Sequence, residues 1–260
     1  MIVSIPRFWK IVLGIGLIAT LLLGIGLTLS MRDIMYPKGN EISKGEEKKD
    51  TNGLPEKNLQ IVALGDSLTR GTGDETGKGY VGWLKEELTT GLKKDVYVLN
   101  HGINGYGSEN ILNDLKTKED IRNSIQKGDI IVLSIGANDL FHAGQEEINP
   151  EVIRNRFSVA EGSMVKVLDT LHSLNNRSPI LCMGLYNPFS DLSVGKETGA
   201  LVKEWNNRVM QVVTKYPKMV YVPTEDLFSI QGTKYLSSDH YHPNAEGYKR
   251  IGVRMAQVLE

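Results

Sequence analysis

A serine hydroxyl becomes an effective nucleophile when a base can take its proton, and a histidine serves as that base when a carboxylate fixes its tautomer. The chain offers these three residue types in two short segments, Gly65-Asp66-Ser67-Leu68 and Asp239-His240-Tyr241-His242-Pro243. Ser67, at a strand-to-loop turn, can present its hydroxyl at an edge. His242 can accept the proton and later return it to a leaving group. Asp239, three residues earlier, can reach back to the imidazole Nδ1–H. Acyl transfer also needs donors aimed at the oxygen that gains charge. The backbone N–H of Ser67, the backbone N–H of Gly105 and the side-chain amide of Asn138 are the candidates.

Taken singly, each piece has a plainer explanation. Gly-Asp-Ser is ordinary turn chemistry. Gly102 and Gly105 can simply shape a loop, and Asn138 can cap a helix. Asp239 and His242 ahead of Pro243-Asn244 can be helix-start residues. Other motifs fit less well. Gly65-Asp66-Ser67-Leu68-Thr69 lacks the second glycine of a Gly-x-Ser-x-Gly elbow, and the acid lies too close to the histidine for a conventional α/β-hydrolase. Gly71-Thr72-Gly73 with Gly77-Lys78-Gly79 suggests a phosphate loop, but Thr72 and Gly79 stand where that loop needs Gly and Ser/Thr. The stretch reads as a rim of the site. Asp239, His240 and His242 find no further cluster of ligating residues, so no metal is expected.

The elements that must position these residues follow from the apolar pattern. Short apolar runs at Gln60–Leu64, Val96–Asn100, Ile130–Ile135, Ile180–Gly184 and Val220–Val222 predict five strands. Longer amphipathic stretches separate them. The clearest places Ile153, Phe157, Ala160, Met164, Leu168 and Leu171 on one helical face, and a last helix opening near Asn244 carries Tyr248, Ile251, Met255 and Val258. Strands alternating with helices imply βαβ units and a parallel sheet covered on both faces, an α/β domain of three layers. Ligands of such sheets bind at the carboxyl ends of the strands. The loops starting at Gly65, Asn100 and Gly136, together with the loop carrying Asp239 and His242, therefore converge on one edge.

These four segments resemble, in order and content, the four sequence blocks of the SGNH hydrolases, the GDSL lipase/esterase family, and in particular its bacterial lysophospholipase/acylhydrolase-like members. The resemblance covers about residues 59 to 260. It implies a flavodoxin-like three-layer α/β/α sandwich with a five-stranded parallel sheet. It also implies that Ser67, Asp239 and His242 form a catalytic triad, that Ser67, Gly105 and Asn138 form the oxyanion hole, and that no cofactor takes part. Two positions depart from the family pattern. His240 stands where a small residue usually follows the Asp, and Gly107 stands where the second block often has a polar residue.

Composition adds bounds. The chain has 260 residues and a formal net charge of −1, which gives no global field for nucleic acid. The single cysteine, Cys182, excludes an internal disulfide and reads as a packing residue. Ile11 to Leu29 is uncharged and predominantly apolar, long enough at ~1.5 Å per residue to cross a hydrocarbon core ~30 Å thick. It exceeds the h-region of a usual signal peptide, so residues 1–32 predict a transmembrane anchor, with a cleaved signal segment as the alternative. Residues 33–58 are polar, mixed in charge and poor in large apolar groups, a linker pattern. The expectation is a membrane-tethered serine esterase or lipase with its catalytic domain outside the cytoplasm, or secreted if the segment is cleaved. Its partners would be the membrane and an acyl-ester substrate, lipid or acetylated glycan. An acetyl esterase acting on cell-envelope or other polysaccharides is the alternative substrate reading, and a non-catalytic anchored binding domain the alternative class. Leu140, Phe141, Tyr106 and Tyr186 are candidates to line an acyl pocket or to belong to the core.

Overall fold

The computed structural model describes residues 16–17, 19–26, 58–142 and 148–260. The chain divides into two units, residues 1–54 and 55–260. Of the first, residues 16–17 and 19–26 are helical and exposed. Among the described residues no helix is long and apolar enough to cross a membrane. These ten residues are the described part of the apolar run 11–29 expected to form a transmembrane anchor, and alone they are shorter than the about 20 residues a span needs. The rest of that run, and the linker up to residue 57, lie outside the described residues.

The second unit is built on five parallel strands: β1 (Leu59–Gly65), β2 (Val96–Gly102), β3 (Ile130–Ser134), β4 (Ile180–Met183) and β5 (Met219–Val222). Their order across the sheet is β2-β1-β3-β4-β5, the flavodoxin-like order. All five expected strands are present with ends shifted by one or two residues. The largest change is at β2, where His101 and Gly102 continue the strand instead of belonging to a loop, because each pairs in register with β1.

The central strands are covered on both faces, so Ile61–Leu64, Ile130–Leu133 and Ile180–Met183 read as unbroken apolar runs. Successive residues point to opposite sides. Val62, Leu64, Ile131 and Leu133 pack beneath α3 (Ser108–Thr117), α4 (Glu119–Lys127), α6 (Pro150–Leu174) and α7 (Gly195–Val213). Ile61, Ala63, Val132 and Leu181 pack against α2 (Gly79–Leu92) and α9 (Ala245–Gln257). The helix expected from Ile153 through Leu171 is α6, opened by Asn149, whose side chain accepts from the N–H groups of Glu151 and Val152. Cys182 is a buried residue of the first cluster, as its apolar run suggested.

Register then sets the site. Gly65 pairs with Gly102 on one side and with Ser134 on the other, so three strands end level. The chain order reverses between β1 and β3, the place where open α/β sheets leave a crevice.

Candidate active site

β1 ends at Gly65, and a single helical turn, α1 (Ser67–Arg70), begins two residues later. Glycine is required at 65: a methyl group there would meet Thr69 Oγ1 and the Ser134 carbonyl. Asp66 caps the turn by accepting from the Leu68 N–H at 3.0 Å. Gly71 closes it in the left-handed conformation, φ 87°, donating to the Ser67 and Leu68 carbonyls. Beneath lies a buried hydroxyl network, in which Thr69 Oγ1 contacts Tyr80 OH and Ser134 Oγ, each at 2.6 Å. Ser134 in turn donates to Asp66 at 3.0 Å. Ser67 thus sits on a turn anchored to β3 and α2 and is itself largely buried.

The partner loop is held at both ends. The Ser237 N–H donates to the His242 carbonyl, and Asn244 caps α9 while donating to the Lys234 and Leu236 carbonyls. Within the loop, Asp239 Oδ1 accepts from Ser237 Oγ at 2.7 Å and from the Tyr241 and His242 N–H groups at 2.9 Å each. That leaves Oδ2 aimed at the imidazole, where it meets His242 Nδ1 at 2.6 Å. His242 Nε2 lies 2.8 Å from Ser67 Oγ. With Nδ1 donating to the carboxylate, the Nε2 lone pair faces the serine hydroxyl, the tautomer a general base needs. Burial pushes the Asp239 carboxyl up. The hydrogen bonds from His242, Tyr241 and Ser237 outweigh it and hold the group well below the usual carboxylate range. It therefore stays ionised beside the ring.

His240, exposed, takes φ +55°, a conformation in which glycine carries no Cβ penalty. The usual small residue at this position has that physical basis, and His240 takes no part in the relay. Among the described residues, no group of three or more His, Cys, Asp or Glu is placed to hold a metal ion.

Asn138 lies on the short helix α5 (Ala137–Phe141), after β3. Its Nδ2 donates to the Tyr106 carbonyl at 2.9 Å, which orients the amide and leaves its second N–H for another acceptor. Asp139 ties the same two loops together by accepting from the Ser108 N–H and hydroxyl. Burial raises its carboxyl, and those bonds offset part of the rise. Gly105, one residue before Tyr106, is exposed at φ +77° with no heavy atom within 4 Å of where a Cβ would stand. Its backbone is therefore open to a bound molecule.

Ser67 and Asn138 open onto a chamber of about 20 Å³, lined also by Asp66, Leu68, Ala137, Phe141, Leu185, Tyr186, Pro188 and Tyr241. Gly105 is not among its lining residues. Of the four residues proposed for an acyl pocket, Phe141 and Tyr186 line the chamber. Leu140 is wholly buried core, and Tyr106 packs against the core while orienting Asn138. Tyr241, Pro188, Leu185 and Ala137 were not legible as lining residues, because only the folded loops bring them beside Ser67.

The GDSL-like lipase/acylhydrolase family model matches residues 63–250, which includes Ser67, Asn138, Asp239 and His242. The chain is 30% identical over 225 residues to the uncharacterised protein YpmR of Bacillus subtilis, covering 84% of this chain and 88% of that one. It is 26% identical over 208 residues to the spore germination lipase LipC of Bacillus licheniformis, covering 76% and 94%. Among solved structures, the lipase Lip_vut3 from a goat rumen metagenome superposes with a TM-score of 0.69 at 24% identity, covering 76% of this chain and 96% of that chain. At that identity the likeness shows the fold.

Proposed function

The chain belongs to the GDSL-like lipase/acylhydrolase family and is an ester-hydrolysing enzyme, and on that premise we propose that it cleaves carboxylic esters through an acyl-enzyme at Ser67. The observation that carries this reading is the continuous relay from Asp239 through His242 to Ser67 Oγ, with contacts of 2.6 and 2.8 Å. In the proposed reaction Ser67 Oγ attacks the ester carbonyl carbon while His242 Nε2 takes the hydroxyl proton. Asp239 stabilises the imidazolium. The carbonyl oxygen, now negative, is met by the second N–H of Asn138 and by the backbone N–H groups of Ser67 and Gly105. His242 returns the proton to the departing alkoxide. A water, deprotonated by the same nitrogen, then attacks the acyl carbon, and His242 passes that proton to the departing Ser67 Oγ, releasing the acid and restoring Ser67. Ser67→Ala should abolish turnover of p-nitrophenyl acetate with an unchanged circular dichroism spectrum; retention of full turnover would overturn the assignment.

A second reading concerns the substrate. The chamber at Ser67 supports an acetyl esterase acting on cell-envelope or other polysaccharides over a lipase for long chains, because about 20 Å³ cannot hold a fatty acyl tail. Release of acetate from an acetylated glycan, compared with hydrolysis of a lysophospholipid, separates the two.

The apolar run Ile11–Leu29 supports a membrane tether on residues 1–32, joined by a linker over 33–58 to a catalytic domain outside the cytoplasm, or a secreted domain if that segment is cleaved. Fractionation of the full chain with N-terminal sequencing of the mature protein distinguishes these outcomes.

A further inference from the structure

Two spaces that share Tyr241 as a lining residue differ greatly in size. One is the chamber at Ser67 and Asn138, about 20 Å³. A single ordered water needs roughly 10–15 Å³ by the same kind of measure, so the chamber admits a methyl group and little more. The other is an open groove of about 590 Å³, lined by Phe189, Asp191, Leu192 and Thr233 together with Asp239, His240 and His242. Pro188 and Tyr241 line both spaces. The Tyr241 ring stands edge-on to His242, with centroids 5.0 Å apart, and tilted against Phe189 at 5.8 Å.

We propose that Tyr241 is the residue that sets acyl-chain length, confining the acyl group to acetyl size by walling the chamber off from the groove. The proposal rests on the Ser67 reading and names the substrate class it serves. The wall is made by a side chain. The backbone of Tyr241 does separate work: its N–H donates to Asp239, and its carbonyl accepts from Tyr186 OH at 2.7 Å. A smaller residue keeps both backbone bonds while joining the chamber to the groove. The acyl chain then gains apolar wall at Phe189 and Leu192, the latter 55% exposed and available for cover. Each methylene buried there is worth about fourfold in kcat/KM.

The test is the kcat/KM series for p-nitrophenyl acetate, butyrate and octanoate with the full chain, Tyr241→Ala, Tyr241→Leu and Tyr241→Ala combined with Leu192→Trp. The unaltered chain should prefer acetate. Tyr241→Ala should raise the octanoate-to-acetate ratio tenfold or more, Tyr241→Leu should raise it less, and tryptophan in place of Leu192 should bring the ratio back down. A merely structural role for Tyr241 would lower all three esters together and leave the ratio in place. The proposal is overturned if the unaltered chain cleaves octanoate as well as acetate, a result independent of whether any variant folds. It is also overturned if either single variant retains acetate turnover with a ratio within twofold of the starting one. Ser67→Ala run on the same esters separates the two levels: full turnover there removes the Ser67 reading, whereas abolished turnover there with an unmoved ratio in the Tyr241 variants removes only the wall.

Discussion

Asp66 caps the turn that carries Ser67, and its replacement by asparagine tests how that turn is held. Asp66 is 2% exposed, and burial raises its carboxyl from 3.8 to about 6, against the pull of hydrogen bonds from the Leu68 N–H and Ser134. A carboxyl raised in the folded state binds its proton more tightly there than in the unfolded chain. Its contribution to stability is therefore complete below pH 4 and is lost as pH rises through about 6. The difference between the two values corresponds to about 3 kcal/mol. The asparagine of Asp66→Asn would keep an acceptor oxygen for the Leu68 N–H but has no titration. Urea unfolding of the unaltered chain and Asp66→Asn, measured from pH 4 to 7.5, should give stability curves that diverge with pH. The variant gains up to about 3 kcal/mol on the unaltered chain across that window. Groups common to both proteins cancel in the difference. Parallel curves would refute the reasoning, since they would mean that Asp66 titrates alike folded and unfolded.

Other outcomes follow from the same geometry. Asp239→Asn would remove the acceptor that fixes the His242 tautomer and should lower kcat/KM on the order of 10³- to 10⁴-fold in ester hydrolysis assays. Because the Asp239 carboxyl is held below 3.8, its contribution is present above that pH and lost as pH falls, so this variant should also lose less stability on acidification below pH 4. Asn138→Ala should cut kcat about 10²- to 10³-fold with little change in KM, as expected for a donor used at the transition state. Gly102→Ala would place a methyl within 2.7 Å of the Thr69 and Arg70 backbone, pushing the Ser67 turn away from β2. Overpacking of about 1–3 kcal/mol should lower the melting temperature by several degrees in calorimetry.

The sheet is legible in the sequence because its central strands are buried on both faces, which makes Ile61–Leu64 and Ile130–Leu133 uninterrupted apolar runs. The catalytic candidates are legible for a related reason: strand ends in a parallel sheet lie on one edge, so Ser67 and Asn138 must be neighbours once β1 and β3 pair. The hydroxyl network of Thr69, Tyr80 and Ser134 is not legible, since it joins residues 11 and 65 positions apart through side chains that look unremarkable in line. Nor is the wall at Tyr241. An aromatic residue beside His242 carries no sequence signal for the small space it encloses with Pro188 and Phe141. Extension of β2 to Gly102 escaped the pattern because His101 is polar and Gly102 has no side chain, while Asn100 serves the turn by donating to the Thr69 carbonyl at 2.7 Å.

The central claim is that Ser67 is activated by His242 and Asp239. Its most direct test is labelling of the full chain by a fluorophosphonate, with the modified residue located by peptide mass spectrometry. A single adduct on Ser67 is expected, formed in parallel with loss of esterase activity and strongly slowed in His242→Ala. An adduct elsewhere, or complete inactivation with Ser67 unmodified, would contradict the claim.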